Sequence, residues 1–243
     1  MPIPRFYIPT PLAAPARIAL PAAAAHHAVR VLRLQVGDAL TMFNGLGGEY
    51  SARIVALSKH DVTVDIERHV AVECESPLRV TLVQALSSAE RMDFSIQKAV
   101  ELGVTQIVPV HSERCLLRLQ AERAAKRVQH WQQVVISACE QCGRNRIPEV
   151  RPIATLTAWL ASPGHDTQRW LLSPEAGTAL RDLPRPLQPV ELLVGPEGGF
   201  TDAENAAAQR AGCHAVRLGP RVLRTETVAP AVLAAMQVLW GDF

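Results

Sequence analysis

The chain has 243 residues, long enough for one large or two small domains with a hydrophobic core of their own. Apolar residues make up 48% and charged residues 20%, and no apolar run approaches the roughly 18 residues of a membrane span, so the composition points to a cytoplasmic chain. The net charge is only +2, which by itself says little about nucleic acid, so the distribution of charge along the chain matters more.

The N-terminal third reads as β-rich. Arg5-Phe6-Tyr7-Ile8 is a short strand, the Ala- and Pro-rich stretch after it is broken too often for a signal peptide, and a small helix is predicted over Ala22–Val31. Alternating apolar residues then mark strands over 39–43, 49–56 and 61–66, the first two joined as a hairpin by the glycine-rich turn Asn44–Gly48. Several short strands with glycine turns predict a small barrel. On a helix, His26, Arg30 and Arg33 would share one face, and with His27 they make a compact basic group. Two adjacent histidines without a third ligand do not suggest a metal.

Glu73–Pro77 reads as a linker, and Leu78–Leu86 as a strand buried on both faces, as in parallel sheets. A helix follows over 90–102, with Met92, Ile96, Ala99 and Val100 as its apolar stripe and Arg91, Ser95 and Lys98 pointing elsewhere. Ile107–Val110 is the next strand. Residues 119–142 form a long amphipathic helix, with Ala121, Ala124, Val128, Trp131, Val135 and Ala138 inward. The loop Gly143–Pro148 just past it carries Arg144 and Arg146 around Asn145, which suits phosphate or base-edge contacts and equally a cationic helix C-terminus. Residues 79–151 hold 11 Lys/Arg against 7 Asp/Glu, whereas residues 152–243 hold 7 against 9, so the basic surplus sits in the middle of the chain. Cys139 and Cys142 have C-x-x-C spacing but no second pair at ligand distance, and they read as ordinary thiols; no metal is expected.

Strands recur over 169–172, 191–194 and 215–218, and strand alternating with helix predicts an α/β domain with a mostly parallel sheet. Two of these strands run into glycine–proline loops, Gly195-Pro196-Glu197-Gly198-Gly199 and Leu218-Gly219-Pro220-Arg221-Val222-Leu223. Thr201-Asp202-Ala203-Glu204 after the first is a capping box opening a helix that stops at Gly212. Strand, glycine loop, helix brings backbone amides close to a ligand, and the similar build of the two loops places them side by side at strand ends. Neither loop is a mononucleotide or dinucleotide fingerprint, which argues against an ATP or NAD enzyme.

GPEGGF followed by LGPRVLRTET, with RMDFSIQKAVELGV and ACEQCGRNRIPE upstream, resembles the ribosomal small-subunit methyltransferase E family, and the likeness runs from Arg5 to the C-terminus. The resemblance implies a PUA-like RNA-binding barrel over residues 1–73 and a SPOUT-class methyltransferase domain over residues 78–243, whose C-terminal trefoil knot holds S-adenosylmethionine. It implies a homodimer that methylates N3 of a uridine in 16S rRNA. By motif, cofactor contacts fall to Leu172, Ser173, Pro174, Gly195, Pro196, Glu197, Gly198, Gly199, Leu218, Gly219, Val222 and Leu223. Arg221 or Arg224 would stabilise the charge on the base, with Glu226 as orienting partner or proton acceptor, unless Arg224 and Glu226 pair structurally. RNA contacts would fall to Arg5, His27, Arg30, Arg33, Arg91, Lys98, Arg144 and Arg146. The apolar helix Val228–Trp240 would serve the dimer interface and, because of Pro230, begin near Thr227. A catalytically silent RNA-binding or assembly protein on the same fold is the alternative, which the intact glycine loops disfavour.

Overall fold

The computed structural model describes residues 3–58, 61–115, 121–162 and 166–243. It divides into two compact units, one made of the chain up to Glu75 together with Cys139–Ile147, the other of Ser76–Ala138 together with Pro148–Phe243.

In the first unit, strands β1 (Arg5–Tyr7), β2 (Ala16–Ala19), β3 (Ala39–Phe43), β4 (Glu49–Leu57) and β5 (Val62–Val70) form a sheet in the order β1-β3-β4-β5-β2. β1 runs parallel to β3 and the other pairs are antiparallel. Register shifts at Ser51/Ala52 and Ile54/Ala56 bend β4, as bulges do. Alternation along β3 to β5 sends Leu40, Met42, Ala52, Ile54, Val62, Val64 and Ile66 into one core with Phe6, Ile8 and Leu20. β2 lies in the Ala- and Pro-rich stretch that carried no strand signal. Ile18 is its one strong strand former, and pairing with β5 holds it in the sheet.

The helix predicted over Ala22–Val31 is α1 (Ala22–His26) continued by a single π turn, His27–Val31. Leu32 N–H reaches back five residues to the His27 carbonyl at 3.0 Å. The chain then leaves through Arg33 at φ 55°, and Leu34 N–H closes onto the Ala28 carbonyl at 3.0 Å, the six-residue closure of a left-handed helix end. His26, Arg30 and Arg33 therefore do not share a helical face: the wide turn rotates Arg30, and Arg33 is already past the end.

Residues 139–147 are stitched into this unit. Arg5 pairs with Glu49 and donates to Asn145 Oδ1 at 2.7 Å and the Gly143 carbonyl at 3.2 Å. Tyr7 N–H bonds Glu140 at 2.9 Å, and Asn145 donates to the Val72 carbonyl at 2.8 Å.

In the second unit the elements follow as β6 (Val80–Ala85), α2 (Ala89–Glu101), β7 (Gln106–His111), α3 (Ala121–Cys142, whose last four residues belong to the first unit), β8 (Glu149–Val150), β9 (Ala154–Thr155), α4 (Leu156–Ala161), β10 (Gln168–Leu172), β11 (Thr178–Ala179), β12 (Val190–Val194), α5 (Asp202–Arg210), β13 (His214–Arg217) and α6 (Thr225–Trp240). All recorded strand pairs are parallel, in the order β11-β13-β10-β12-β6-β7-β8, with β9 also on β7. The central strands are covered on both faces, which is why they read as continuous apolar runs.

Along α2 the stripe Met92, Ile96, Ala99 and Val100 is fully buried, and so is Ser95, which the helical reading had turned outward. Trp131, Val135 and Ala138 of α3 are buried, Ala124 and Val128 half-buried; Ala121's side chain and residues 119–120 lie outside the described part. α6 begins at Thr225, two residues earlier than Pro230 suggested. Proline there lacks the N–H that would close onto the Glu226 carbonyl, and the helix is already under way before that loss is felt.

Candidate active site

Three loops leave the carboxyl ends of three adjacent strands. β10 lies between β13 and β12, with Leu172 level with Val216 and Leu171 level with Leu193, so the loops start at nearly the same height. The two glycine loops, expected side by side, are thus separated by β10, whose own loop Ser173–Pro174 is the middle one of three. Because β12 sits between β10 and the earlier β6, this is the place where strand order reverses, the usual binding crevice of an open parallel sheet.

A cavity lies between the loops after β10 and β13, lined by Leu172, Ser173, Pro174, Leu218, Gly219 and Val228. A wider depression adjoins it and reaches Arg91, Gly195, Pro196, Glu197, Gly199, Arg224 and Glu226. Leu172, Pro174, Val222, Leu223 and Val228 line both, which makes them two lobes of one cleft. The first lobe is an apolar slot edged by backbone, suited to a flat heteroaromatic ring. The second is polar, with the Glu197 and Glu226 carboxylates beside the Arg91 and Arg224 guanidinium groups.

The glycines serve different ends. A Cβ on Gly219 would meet no atom within 4 Å, so that position borders open space in the first lobe. A Cβ on Gly198 would lie 3.4 Å from Cβ of Arg114, whose Nη1 donates to the Gly198 carbonyl at 2.9 Å. That is ordinary contact distance, so a side chain at 198 would pack on Arg114, and Gly198 lines neither lobe. Below the loop, Thr201 and Glu204 form the expected capping box of α5, and Glu204 also accepts the Glu113 N–H at 2.8 Å. Thr225 Oγ1 donates to the Gly195 carbonyl at 2.6 Å and accepts from Gln84 at 3.2 Å. Arg114 and Thr225 hold the loop in shape. Arg114 carries no local sequence signal, whereas Thr225 lies inside the LGPRVLRTET block.

Glu197 accepts from the Ser88 N–H at 3.1 Å and from Arg91 Nη1 at 2.7 Å. Burial would raise its pKa, but these bonds and its own backbone N–H outweigh burial and hold the carboxyl below its ordinary value. Arg91 Nε also lies 3.5 Å from Glu226 Oε1, while Glu226 Oε2 is buried without a hydrogen-bond partner. The structural pair suggested for Glu226 is thus made with Arg91, not Arg224. Among the described residues the exposed guanidinium groups of Arg221 and Arg224 have no ion-pair or hydrogen-bond partner, which leaves them free for a ligand.

The expected RNA contacts divide. His27, Arg30 and Arg33 are exposed on the first unit, and Arg146 is exposed with Glu73 at 3.5 Å. Arg5 is engaged with Glu49 and Asn145, and Lys98 holds Glu101 at 2.7 Å. Arg144 is the clear correction: its side chain is 4% exposed, with Nη2 2.6 Å from Glu75, so it braces the interior of its unit instead of facing a phosphate. Arg91 belongs to the cleft.

The chain matches the RNA methyltransferase domain over residues 74–237 and the RNA methyltransferase PUA domain over residues 20–67. The PUA-like sheet followed by a parallel α/β domain is the architecture of that class. The ribosomal RNA small subunit methyltransferase E of Buchnera aphidicola (subsp. Schizaphis graminum) is 37% identical over 99% of this chain and 98% of its own length. The crystal structure of a ribosomal RNA small subunit methyltransferase E from Neisseria gonorrhoeae bound to S-adenosyl methionine has a TM-score of 0.93 at 44% identity, covering 99% of both chains. A Legionella pneumophila structure in complex with the cofactor SAM reaches 0.96 at 39% identity, covering 100% of both. The chain belongs to the ribosomal RNA small subunit methyltransferase E family.

Proposed function

We propose that this chain is an S-adenosylmethionine-dependent methyltransferase that modifies N3 of a uridine in 16S rRNA of the small ribosomal subunit. The observation that carries the reading is the two-lobed cleft at the reversal of strand order, in a chain of this family. Its residues fit the cofactor. The apolar slot beside Gly219 suits adenine, with backbone amides and carbonyls at its edge, and the carboxylates of Glu197 and Glu226 suit a cationic sulfonium. Bound there, S-adenosylmethionine would supply the electrophilic methyl group.

The protein's own share follows from the base. N3 of uracil is an imide flanked by two carbonyls, so its proton must leave and the charge on O2 and O4 must be stabilised. Arg221 and Arg224, free of partners among the described residues, supply planar donors for those oxygens. Glu226 Oε2, buried and unpaired, accepts the N3 proton. The exposed group His27, Arg30, Arg33 and Arg146 would hold the RNA backbone. The reading includes the family's trefoil knot in the C-terminal half, a homodimer with the apolar α6 at its interface, and a cytoplasmic site of action; Val238 and Leu239 of α6 are exposed in the single chain, which supports the interface. Among the described residues no helix is long and apolar enough to cross a membrane.

The test is mass-spectrometric nucleoside analysis of small ribosomal subunits incubated with the protein and methyl donor. The expected result is N3-methyluridine in 16S rRNA. RNA binding without methylation would favour the silent RNA-binding alternative.

A further inference from the structure

The first turn of α2 holds an arginine where a helix least wants one. Arg91 is the third residue of α2, at the positive end of the helix dipole, and nothing in helix stability favours a cation there. Two carboxylates from distant parts of the chain account for it. Glu197 comes from the loop after β12 and bonds both Arg91 and the Ser88 N–H, so its oxygens are well used. Glu226 comes from the first turn of α6 and meets Arg91 only through Oε1, at 3.5 Å. One guanidinium thus joins three segments, and the less committed of its two carboxylates keeps a bare oxygen.

We propose that Arg91 is a positioning residue of the reaction, held in place by Glu197 and holding Glu226 by one oxygen, which leaves the buried Oε2 without a partner at the edge of the cleft. This rests on the reading of Glu226 as proton acceptor. In that step the N3–H bond breaks and its proton goes to Oε2, giving a neutral carboxylic acid. The N3 electron pair forms the new N–C bond, and the methyl–sulfur bonding pair stays on sulfur, so positive sulfonium and negative carboxylate are consumed together. The proton then passes to water. Without Arg91, Glu226 loses the one charged partner it has among the described residues and can rotate either oxygen toward or away from the base. Arg91 is poorly placed for RNA, since a phosphate reaching it would meet two carboxylates already on its donors.

The experiment compares Arg91→Met, Arg91→Lys, Glu226→Gln and the double variant Arg91→Met/Glu226→Gln in the full-length protein. Steady-state methylation of small subunits is measured together with calorimetric binding of S-adenosylmethionine. Arg91→Met is expected to lower kcat about 30-fold or more, with KM for RNA and its salt dependence unchanged and cofactor affinity within about threefold of the parent. Arg91→Lys should recover part of kcat, because an ammonium can still reach Oε1. The double variant should be no slower than Glu226→Gln alone, since two residues acting through one step are not additive. A raised KM with a salt slope flattened by about one unit would make Arg91 an RNA contact and overturn the proposal. Loss of cofactor binding, or additive loss in the double variant, would also overturn it. If Arg91→Met fails to fold, Arg91→Lys and its pairing with Glu226→Gln decide by the same comparison. Full activity of Glu226→Gln would instead refute the proton-acceptor reading itself, whatever Arg91 does.

Discussion

Replacing Arg144 by methionine keeps most of the side chain's volume and removes the charge. Arg144 donates from Nε to both oxygens of Glu75, at 3.2 and 3.1 Å, and from Nη2 at 2.6 Å, with side-chain exposures of 4% and 20%. Burial alone would lower the guanidinium's pKa, but Glu75 outweighs it and keeps the group charged. Breaking a buried pair from one side costs about 3–5 kcal/mol, because the remaining charge loses its partner. Glu75 can recover some water at one-fifth exposure, so the lower end, about 3 kcal/mol, is expected. Hydrogen exchange read by mass spectrometry is the suitable assay, since it reports the first unit separately. Peptides from β3 to β5 should exchange about a hundredfold faster in Arg144→Met than in the parent, at tenfold per 1.4 kcal/mol. Adding Glu75→Leu should restore most of the protection, because an apolar pair leaves no orphaned charge. Unchanged protection, together with a salt slope of RNA binding one unit shallower, would show that Arg144 meets a phosphate and would refute the structural assignment.

Gly219→Val should leave melting unchanged and weaken S-adenosylmethionine binding at least a hundredfold, because the new side chain enters the first lobe without touching protein; calorimetry at full affinity would remove the slot from the cofactor site. Gly198→Ala, by contrast, should leave melting and cofactor affinity close to those of the parent, because its Cβ meets Arg114 only at ordinary contact distance; lost binding in calorimetry would put Gly198 in the site. Burial pushes the Cys139 thiol up to about 12 and Cys213 to about 11, from an ordinary 9.0. Both should resist iodoacetamide at pH 8 in the native protein, which peptide mapping can check. A thiol whose folded value is raised stabilises the fold below its unfolded value, so stability should fall as pH rises from about 9 towards 12, and Cys139→Ala should flatten part of that fall in urea titrations. Light scattering at micromolar concentration should return a dimer; a fully active monomer would contradict the proposed interface.

The parallel sheet was legible because strands covered on both faces need unbroken apolar runs, as in Val190–Val194, and because glycine loops and a capping box mark where such strands stop. The loops of the cleft followed from the same punctuation. What local pattern does not carry is who meets a charge. Arg144 looked like a phosphate ligand because Glu75 is 69 positions away, and Arg91 looked like one because Glu197 is 106 away. Periodicity speaks only about neighbours a turn or a pleat apart. The π turn at His27–Val31 escaped for a related reason: α and π helices share residue preferences and differ only in which carbonyl each amide finds.

The short segment that returns to the first unit makes the order of synthesis matter. When the ribosome has delivered Glu75, the sheet strands all exist, yet Glu140, Asn145 and Arg144 have not been made. A nascent chain must extend to Ile147 before its first unit can close, with a large part of the second already emerged. The same arrangement constrains recombination. A single crossover near residue 75 would join a β-rich half from one parent to the stitching residues of another, and Arg5, Tyr7 and Val72 would face partners chosen for a different sheet. Exchange of this unit between relatives needs three junctions, one at each place where the chain passes between the units.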